Sequence, residues 1–409
     1  MKAAIIGASE EALHTIEKAH EYGLTVVALD GNGKAPGLSA ADKALVVDIS
    51  DEEETIRAVR EEKADFVLTV PIGRYLTTIG AVNDALTLPG ISKEMAVLCT
   101  DKYSFHKKLF EQGLRRCHCY GVGNHLGDET PNDVLAEKLV NGELLLAFPA
   151  ILKPRFGSGS RGIHMLNRRE ELERALQEVE GESYVLEECI AGEEYGVDGA
   201  MVGSDFQMVL LRYKRNTPPP ARQAVAYFSV QPADPFYEQV KVYMQRVTAC
   251  LGLRECLLHA DLIRGEDGPF VIELSARPSG HNLHNLFTPL CTGVDVAEEY
   301  IKYRMGKPFC FVPKQTKSMM IHYFDVQGEV KQVPDQVQVE QTIKELQQIS
   351  KKGLSEVSLT KWECRIKEGE ILQPVSDGHS LMGRGYFILE GDDQKELALC
   401  AEKIKGLFF

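Results

Sequence analysis

The sequence predicts a chain of α/β and α+β units: an open parallel α/β domain, a small lid, a larger mixed sheet and a strand-rich C-terminal unit. Through roughly the first hundred residues, short apolar runs alternate with amphipathic stretches, the pattern of parallel strands covered by helices. A Gly/Ser-rich loop then separates two short strands after Pro149, and further on come two apolar strands that carry acids. With 409 residues, 44% of them apolar, the chain exceeds what one hydrophobic core usually serves.

In chain order, Ala3–Ile6, Leu24–Leu29, Leu45–Val47 and Phe66–Val70 read as strands. Ser9 as N-cap and Gly23 as stop bound the first helix, and a second starts near Ser50 with acids in its first turn. A helix capped by Thr100 and ending at Gly113 places a boundary near Leu98, so the N-terminal domain is expected over 1–98. The central domain is expected over 99–310, with its lid at about 115–188. The lid reads as a strand after Pro149, the glycine loop, strand Ile163–Leu166, a helix opened by Asn167 with Glu170 as capping box, and strand Tyr184–Glu188. Strands Val197–Val202, Phe206–Tyr213, Leu257–Ile263 and Phe270–Leu274, with a helix Asp234–Leu251, make the larger unit. Successive prolines in Thr217–Gln223 remove N–H donors and predict a surface loop. The C-terminal unit, 311–409, is strand-rich with helices at Gln341–Lys351 and Asp393–Lys405.

Lys plus Arg total 46 against 60 Asp plus Glu, a net charge of -14 that repels phosphodiesters and anionic lipid, so neither nucleic acid nor membrane is an expected partner. Only Ala3 to Ile6 separate Lys2 from Gly7, far short of a signal or spanning run. Together with ten scattered cysteines, this predicts a reduced, cytoplasmic protein. Cys117, His118 and Cys119 cluster tightly but lack a second pair of ligands for structural zinc.

Three segments carry chemistry. In KPRFGSGSRGI, Lys153 to Ile163, the glycines Gly157, Gly159 and Gly162 let a backbone approach an anion, Ser158 and Ser160 add hydroxyls, and Lys153 adds charge. The order GxxxxGK[ST] is missing, and a flexible hairpin turn is the alternative. In YVLEECIAGEEYGVDG, backbone groups at Glu188 and Ile190 could pair with an adenine edge and an acid beyond Gly192 could accept ribose hydroxyls; a solvated acidic hairpin is the alternative. In LHADLIRGEDGPFVIELSARPSGHN, Asp261 and Glu273 can face one another across a hairpin. Carboxylates within apolar strands are costly unless paired, and a divalent cation shared with phosphate oxygens pairs them. Arg277 can meet developing negative charge, or else form a salt bridge with Asp261 or Glu273.

In sequence order these segments resemble the ATP-grasp superfamily, within it the carboxylate–amine ligases that include bacterial L-amino acid ligases, and more remotely purine-biosynthesis and carbamoyl-phosphate enzymes. The resemblance covers nearly the whole chain, including IIGASEE, DGNGKAPG and the PGIS and TDK pieces of the N-terminal unit. It implies the ATP-grasp fold, ATP, and Mg²⁺ or Mn²⁺. By position it implies that Lys102 and Lys153 contact phosphates, that Ser158, Gly159, Ser160 and Gly162 form a mobile phosphate loop, and that Glu187, Glu188, Cys189 and Ile190 form the adenine hinge. Glu194 matches the ribose carboxylate, Asp261 and Glu273 the metal acids, and Arg277 the arginine beside the reacting phosphate, catalytic together with Lys153. Lys214, Ser279, Gly280 and His281 are substrate-side candidates. Ser275 stands where the family usually has Asn, and Asp261 where Glu is more frequent, which leaves the number of ions open.

The reaction so implied starts with a carboxylate attacking the γ-phosphate. ADP leaves, and an amine or thiol displaces phosphate from the acyl phosphate, with Arg277 and main-chain donors near Ser279 and Gly280 stabilising the tetrahedral intermediate. The small-molecule acid and amine are not encoded in any motif, no general base is legible, and His281 and His284 read as structural or substrate-contacting. The resemblance admits a homodimer. A ligase using bicarbonate or a nucleotide-like amine is the alternative within this chemistry, and a non-catalytic nucleotide sensor, hinted at by Ser275, lies outside it. A dinucleotide oxidoreductase, suggested by Gly7 and Asp30, is opposed by the absence of GxGxxG.

Overall fold

The alternation of apolar strands and amphipathic helices at the N-terminus builds a parallel sheet of four strands, β1 (Lys2–Ile6), β2 (Thr25–Asp30), β3 (Lys43–Val46) and β4 (Phe66–Val67), in the order β3-β2-β1-β4. The structure, a computed structural model, describes residues 1–157, 162–218, 222–349, 356–375 and 378–409. Both faces of the sheet are covered. Ala4 and Ile6 pack with Ile79 of the helix Leu76–Leu86, while Ala3 and Ile5 pack with Ile16 of the helix Leu13–Glu21 and Ile301 of the helix Val296–Arg304. The two-residue period of the strand makes this division.

Several helix starts differ from expectation. A 3-10 turn, Glu10–Ala12, precedes the first helix, and Ser9 makes no side-chain cap bond. Asp51 and Asp101, not Ser50 and Thr100, cap the next two predicted helices, accepting from Glu54 N and from Tyr103 and Ser104 N. Both aspartates hold the extended backbone that a capping carboxylate needs. The expected capping box at Asn167 is replaced by a bond from Asn167 N to Glu171 Oε2 at 2.8 Å, ahead of the helix Arg169–Glu178. The short helix Pro36–Ala40 went unread, and the helix expected from Gln341 starts at Gln336.

The lid is an antiparallel sheet of β5 (Cys119–Val122), β6 (Ala150–Pro154), β7 (His164–Leu166) and β8 (Tyr184–Glu188), ordered β5-β8-β6-β7. Beside it, β9 (Glu193–Val202), β10 (Asp205–Asn216), β11 (Ala224–Ser229), β12 (Leu257–Gly265) and β13 (Gly268–Ser275) belong to an eight-stranded sheet. This sheet continues into C-terminal strands. β14 (Met319–Tyr323) pairs with β11, and after β15 (Gly328–Glu329) come β16 (Ser358–Cys364), β17 (Ile371–Leu372) and β18 (Gly385–Glu390), giving the order β13-β12-β9-β10-β11-β14-β18-β16. β15 and β17 form a separate ribbon. Among the described residues no helix is long and apolar enough to cross a membrane.

Candidate active site

Lys153 on β6 and Glu187 on β8 meet as an ion pair between adjacent lid strands. Arg115 Nη2 donates to the other Glu187 oxygen at 2.7 Å, and His106 lies between them, Nδ1 3.0 Å from Arg115 Nη1 and Nε2 3.4 Å from Glu187. All four side chains are buried. Burial alone would raise the Glu187 pKa, but Lys153, His106 and Arg115 hold it well below the usual carboxylate range. Burial first, then Arg115, keep His106 neutral, so its Nδ1 accepts from Arg115 and its Nε2 faces Glu187 as donor. Glu187, expected in the adenine hinge, therefore turns its carboxylate inward onto Lys153. Cys189 N is likewise committed, donating to Pro149 O at 2.9 Å, which leaves Glu188 and Ile190 as the accessible part of the expected hinge.

Lys102 opens the helix Lys102–Glu111, and its Nζ donates to Gly157 O at 2.6 Å, where the glycine loop begins. Burial depresses the Lys102 pKa; Glu273 opposes this and Lys153 adds to it, so both lysines and Glu273 share one electrostatic neighbourhood. Ser158, Gly159 and Ser160 lie outside the described residues. Gly162, at φ 67°, closes the loop, and a Cβ there would sit 3.0 Å from Tyr184 Oη.

The register of β12 and β13 places Asp261 opposite Glu273. Lys214 Nζ donates to Asp261 Oδ2 at 2.8 Å and lies 3.8 Å from Glu194, which Arg222 also contacts. Burial would raise the Asp261 pKa, but Lys214 outweighs it and holds it low. Lys214, and not Arg277, is thus the ion-pair partner of Asp261. Ser275 is buried opposite His259. Among the described residues no group of three or more His, Cys, Asp and Glu could by itself hold a metal ion. Two acids and a serine fit a magnesium ion only if phosphate oxygens complete its shell.

Arg277 is depressed by burial. Its Nη1 donates to Pro278 O at 2.8 Å; among the described residues its buried Nε has no hydrogen-bond partner. The loop beyond it is tightly held. Ser279 Oγ lies 3.5 Å from Arg212 Nη1, and Arg212 is paired with Asp198 at 2.6 and 2.9 Å. His284 Nδ1 bonds to Ser279 O, and burial pushes its pKa down to about 4, the profile of a structural histidine. His281 N donates to Glu11 Oε1 at 2.7 Å, with Gly280 beside the same carboxylate. Burial raises the Glu11 pKa, and among the described residues its buried Oε2 has no hydrogen-bond partner. Sequence reasoning missed Glu11, His106, Arg115, Asp198, Arg212 and Arg222. Glu11 and Asp198 stood within quoted motifs, IIGASEE and YVLEECIAGEEYGVDG, and Arg222 within the predicted loop Thr217–Gln223.

A cavity of about 490 Å³ between the N-terminal domain and β13 is lined by Arg74, Lys102, Gly157, Glu273, Ser275 and Arg277, among others. Of the expected site residues it brings together Lys102, Glu273, Ser275 and Arg277; Lys153 and Asp261 do not line it. Lys153 and Glu187 act on Lys102 electrostatically, and Asp261, Lys214 and Glu194 lie on adjoining strands. Ser279, Gly280 and His281 extend past Arg277 toward Glu11.

The ATP-grasp domain family matches residues 146–284. The formate-dependent phosphoribosylglycinamide formyltransferase of Ignicoccus hospitalis is 26% identical over 230 residues, 53% of this chain and 50% of that one. The chain spans about half the length, or less, of such curated relatives. Among solved structures, the L-amino acid ligase from Bacillus licheniformis matches at TM-score 0.74 and 18% identity over 99% of this chain and 97% of that one. The phosphoribosylglycinamide synthetase from Anaerococcus prevotii matches at 0.72 and 18%, over 99% and 98%.

Proposed function

We propose that the chain, whose residues 146–284 match the ATP-grasp domain family, is an ATP-dependent ligase that phosphorylates a carboxylate and transfers the acyl group to an amine. The single observation that carries this reading is the gathering of Lys102, Glu273, Ser275 and Arg277 around one cavity, with Lys153 beside them. ATP would lie with its adenine edge at Glu188–Ile190, its ribose at Glu194, and its phosphates between Lys102, Lys153 and the glycine loop. Asp261 and Glu273, with Ser275, would hold a divalent cation, which neutralises phosphate charge when bound. Lys214 supports Asp261 in its ionised form. Arg277, desolvated and short of a partner, faces the carbon where negative charge grows, with the Ser279–Gly280 backbone as further donors. Displacement forms the C–N bond, breaks the acyl C–O bond to phosphate, and needs no covalent enzyme intermediate.

The test is ADP and phosphate release with ATP and Mg²⁺ across the standard amino acids, dipeptides and bicarbonate, each with hydroxylamine as a trapping amine. Acid-dependent ADP together with a hydroxamate is expected. ATP binding with no ADP from any acid would leave a nucleotide sensor, and stimulation by bicarbonate alone would favour the alternative of a ligase that uses bicarbonate.

A further inference from the structure

We infer that the cavity between the N-terminal domain and β13 seats the acid substrate, and that this acid is a monocarboxylate with a bulky aliphatic or aromatic body, not a phosphorylated sugar derivative. The inference deepens the ligase reading above and rests on it. One end of the cavity is built for a single anion. Arg277 lines it with a buried Nε that has no partner, and no carboxylate forms an ion pair with its guanidinium among the described residues, Glu273 and Glu11 acting only from a distance. A planar, desolvated guanidinium suits a carboxylate.

Away from Arg277 the walls are Ile72, Val97, Leu98, Phe105, Phe156 and Leu274. Four of the hydroxyls interspersed among them are already spent on the protein. Thr78 Oγ1 donates to Ile49 O at 2.8 Å, Thr77 Oγ1 to Arg74 O at 3.1 Å, Thr100 Oγ1 to Ala96 O at 3.0 Å, and Ser50 Oγ to Asp48 Oδ1 at 2.6 Å. Glu52 is paired with Lys93 at 2.5 Å. Of the other lining cations, Lys102 donates to Gly157 O at 2.6 Å and Arg74 lies over the Tyr75 ring at 5.3 Å. A sugar phosphate needs several converging donors, and this lining offers few, whereas an apolar body asks for none. The volume, about 490 Å³, lies within the range of about 300–1,000 Å³ typical of small-molecule sites.

Full-length protein with ATP, Mg²⁺ and hydroxylamine is assayed for hydroxamate from acetate, 3-phenylpropanoate, succinate and 3-phosphoglycerate. 3-Phenylpropanoate is expected to exceed the other three in kcat/KM by at least about tenfold, as apolar pockets discriminate by size. Val97 is 39% exposed and has room to be enlarged. Val97→Phe should lower the 3-phenylpropanoate to acetate ratio by about tenfold. Leu98→Ala, on the same wall, should move preference toward the longer 4-phenylbutanoate. Opposite shifts from the two variants separate a change of cavity shape from a loss of folding. The inference is overturned if succinate or 3-phosphoglycerate is the best acid, or if neither variant changes the ratios; the ligase reading then stands. Absence of hydroxamate and ADP with every acid removes the ligase reading, and the inference with it.

Discussion

Arg277 and Glu187 show opposite ways of keeping a charge inside the protein. Glu187 gathers Lys153, Arg115 and His106, and removing it strands buried cations. Glu187→Ala should destabilise the fold by roughly 3–5 kcal/mol, read from denaturant midpoints, and raise the ATP concentration needed for half-maximal turnover because Lys153 loses its anchor. Arg277 has no such compensation. Arg277→Met should therefore raise the denaturant midpoint while lowering turnover by about 10²–10³, a function kept at a cost in stability; a lowered midpoint would show that the guanidinium is structurally supported. Lys153, Asp261, Glu273 and Arg277 could be singled out as candidates because each follows or lies within an apolar strand in a recognisable order. The direction of Glu187 was not. Val185 and Leu186 are both buried, so β8 is covered on both faces and its alternation does not say which acid turns inward. Arg115 and His106 arrive from other elements, a relation no local pattern records.

The joint between β8 and β9 is fixed by backbone more than by side chains. Gly192 sits there at φ 150°, and an added Cβ would lie 2.2 Å from Arg264 O and 2.7 Å from Ile263 Cγ2. Gly192→Ala should cost at least about 2 kcal/mol, because neither the dihedral nor the backbone contact can give way without moving β12; thermal melting of the variant beside Gly181→Ala, whose Cβ meets nothing within 4 Å, isolates the contact from the dihedral. Elements of this kind were legible where periodicity and punctuation agree, as in the helix Pro235–Leu251, opened by Asp234 and stopped by Gly252. Caps slipped by a residue where Ser or Thr stood next to Asp, since both types cap well and the backbone decides. The pairing of β11 with β14 was beyond reach, because partners almost a hundred residues apart leave no spacing to read.

Among the described residues, three buried histidines and the half-buried His259 are held neutral. Burial, with nearby charges, pushes His259 down to about 3 and both His284 and His322 to about 4, and puts His106 well below its ordinary value. They sit on β12, in the loop after Arg277, on β14 and on the helix Lys102–Glu111, so the penalty for charging them falls on the central sheet and on the lid's support alike. Unfolded, each takes a proton near about pH 6.5; folded, each refuses it until far lower pH. Stability is therefore fully present above about pH 7 and declines as pH falls through about 6 toward 4, each histidine contributing up to about 1.4 kcal/mol per pH unit. Glu187 and Asp261, whose folded values are depressed, add their loss only below about pH 4. Urea midpoints should accordingly fall steeply between pH 7 and 5, before Glu187 and Asp261 titrate. His322→Phe keeps the ring stacked on Phe387 but cannot take a proton, so it should flatten that slope by about one proton's worth while giving up the Nδ1 bond to Tyr323 O at pH 7.5. A midpoint constant from pH 7.5 to 5 would mean that these histidines are charged, or solvated, inside the fold.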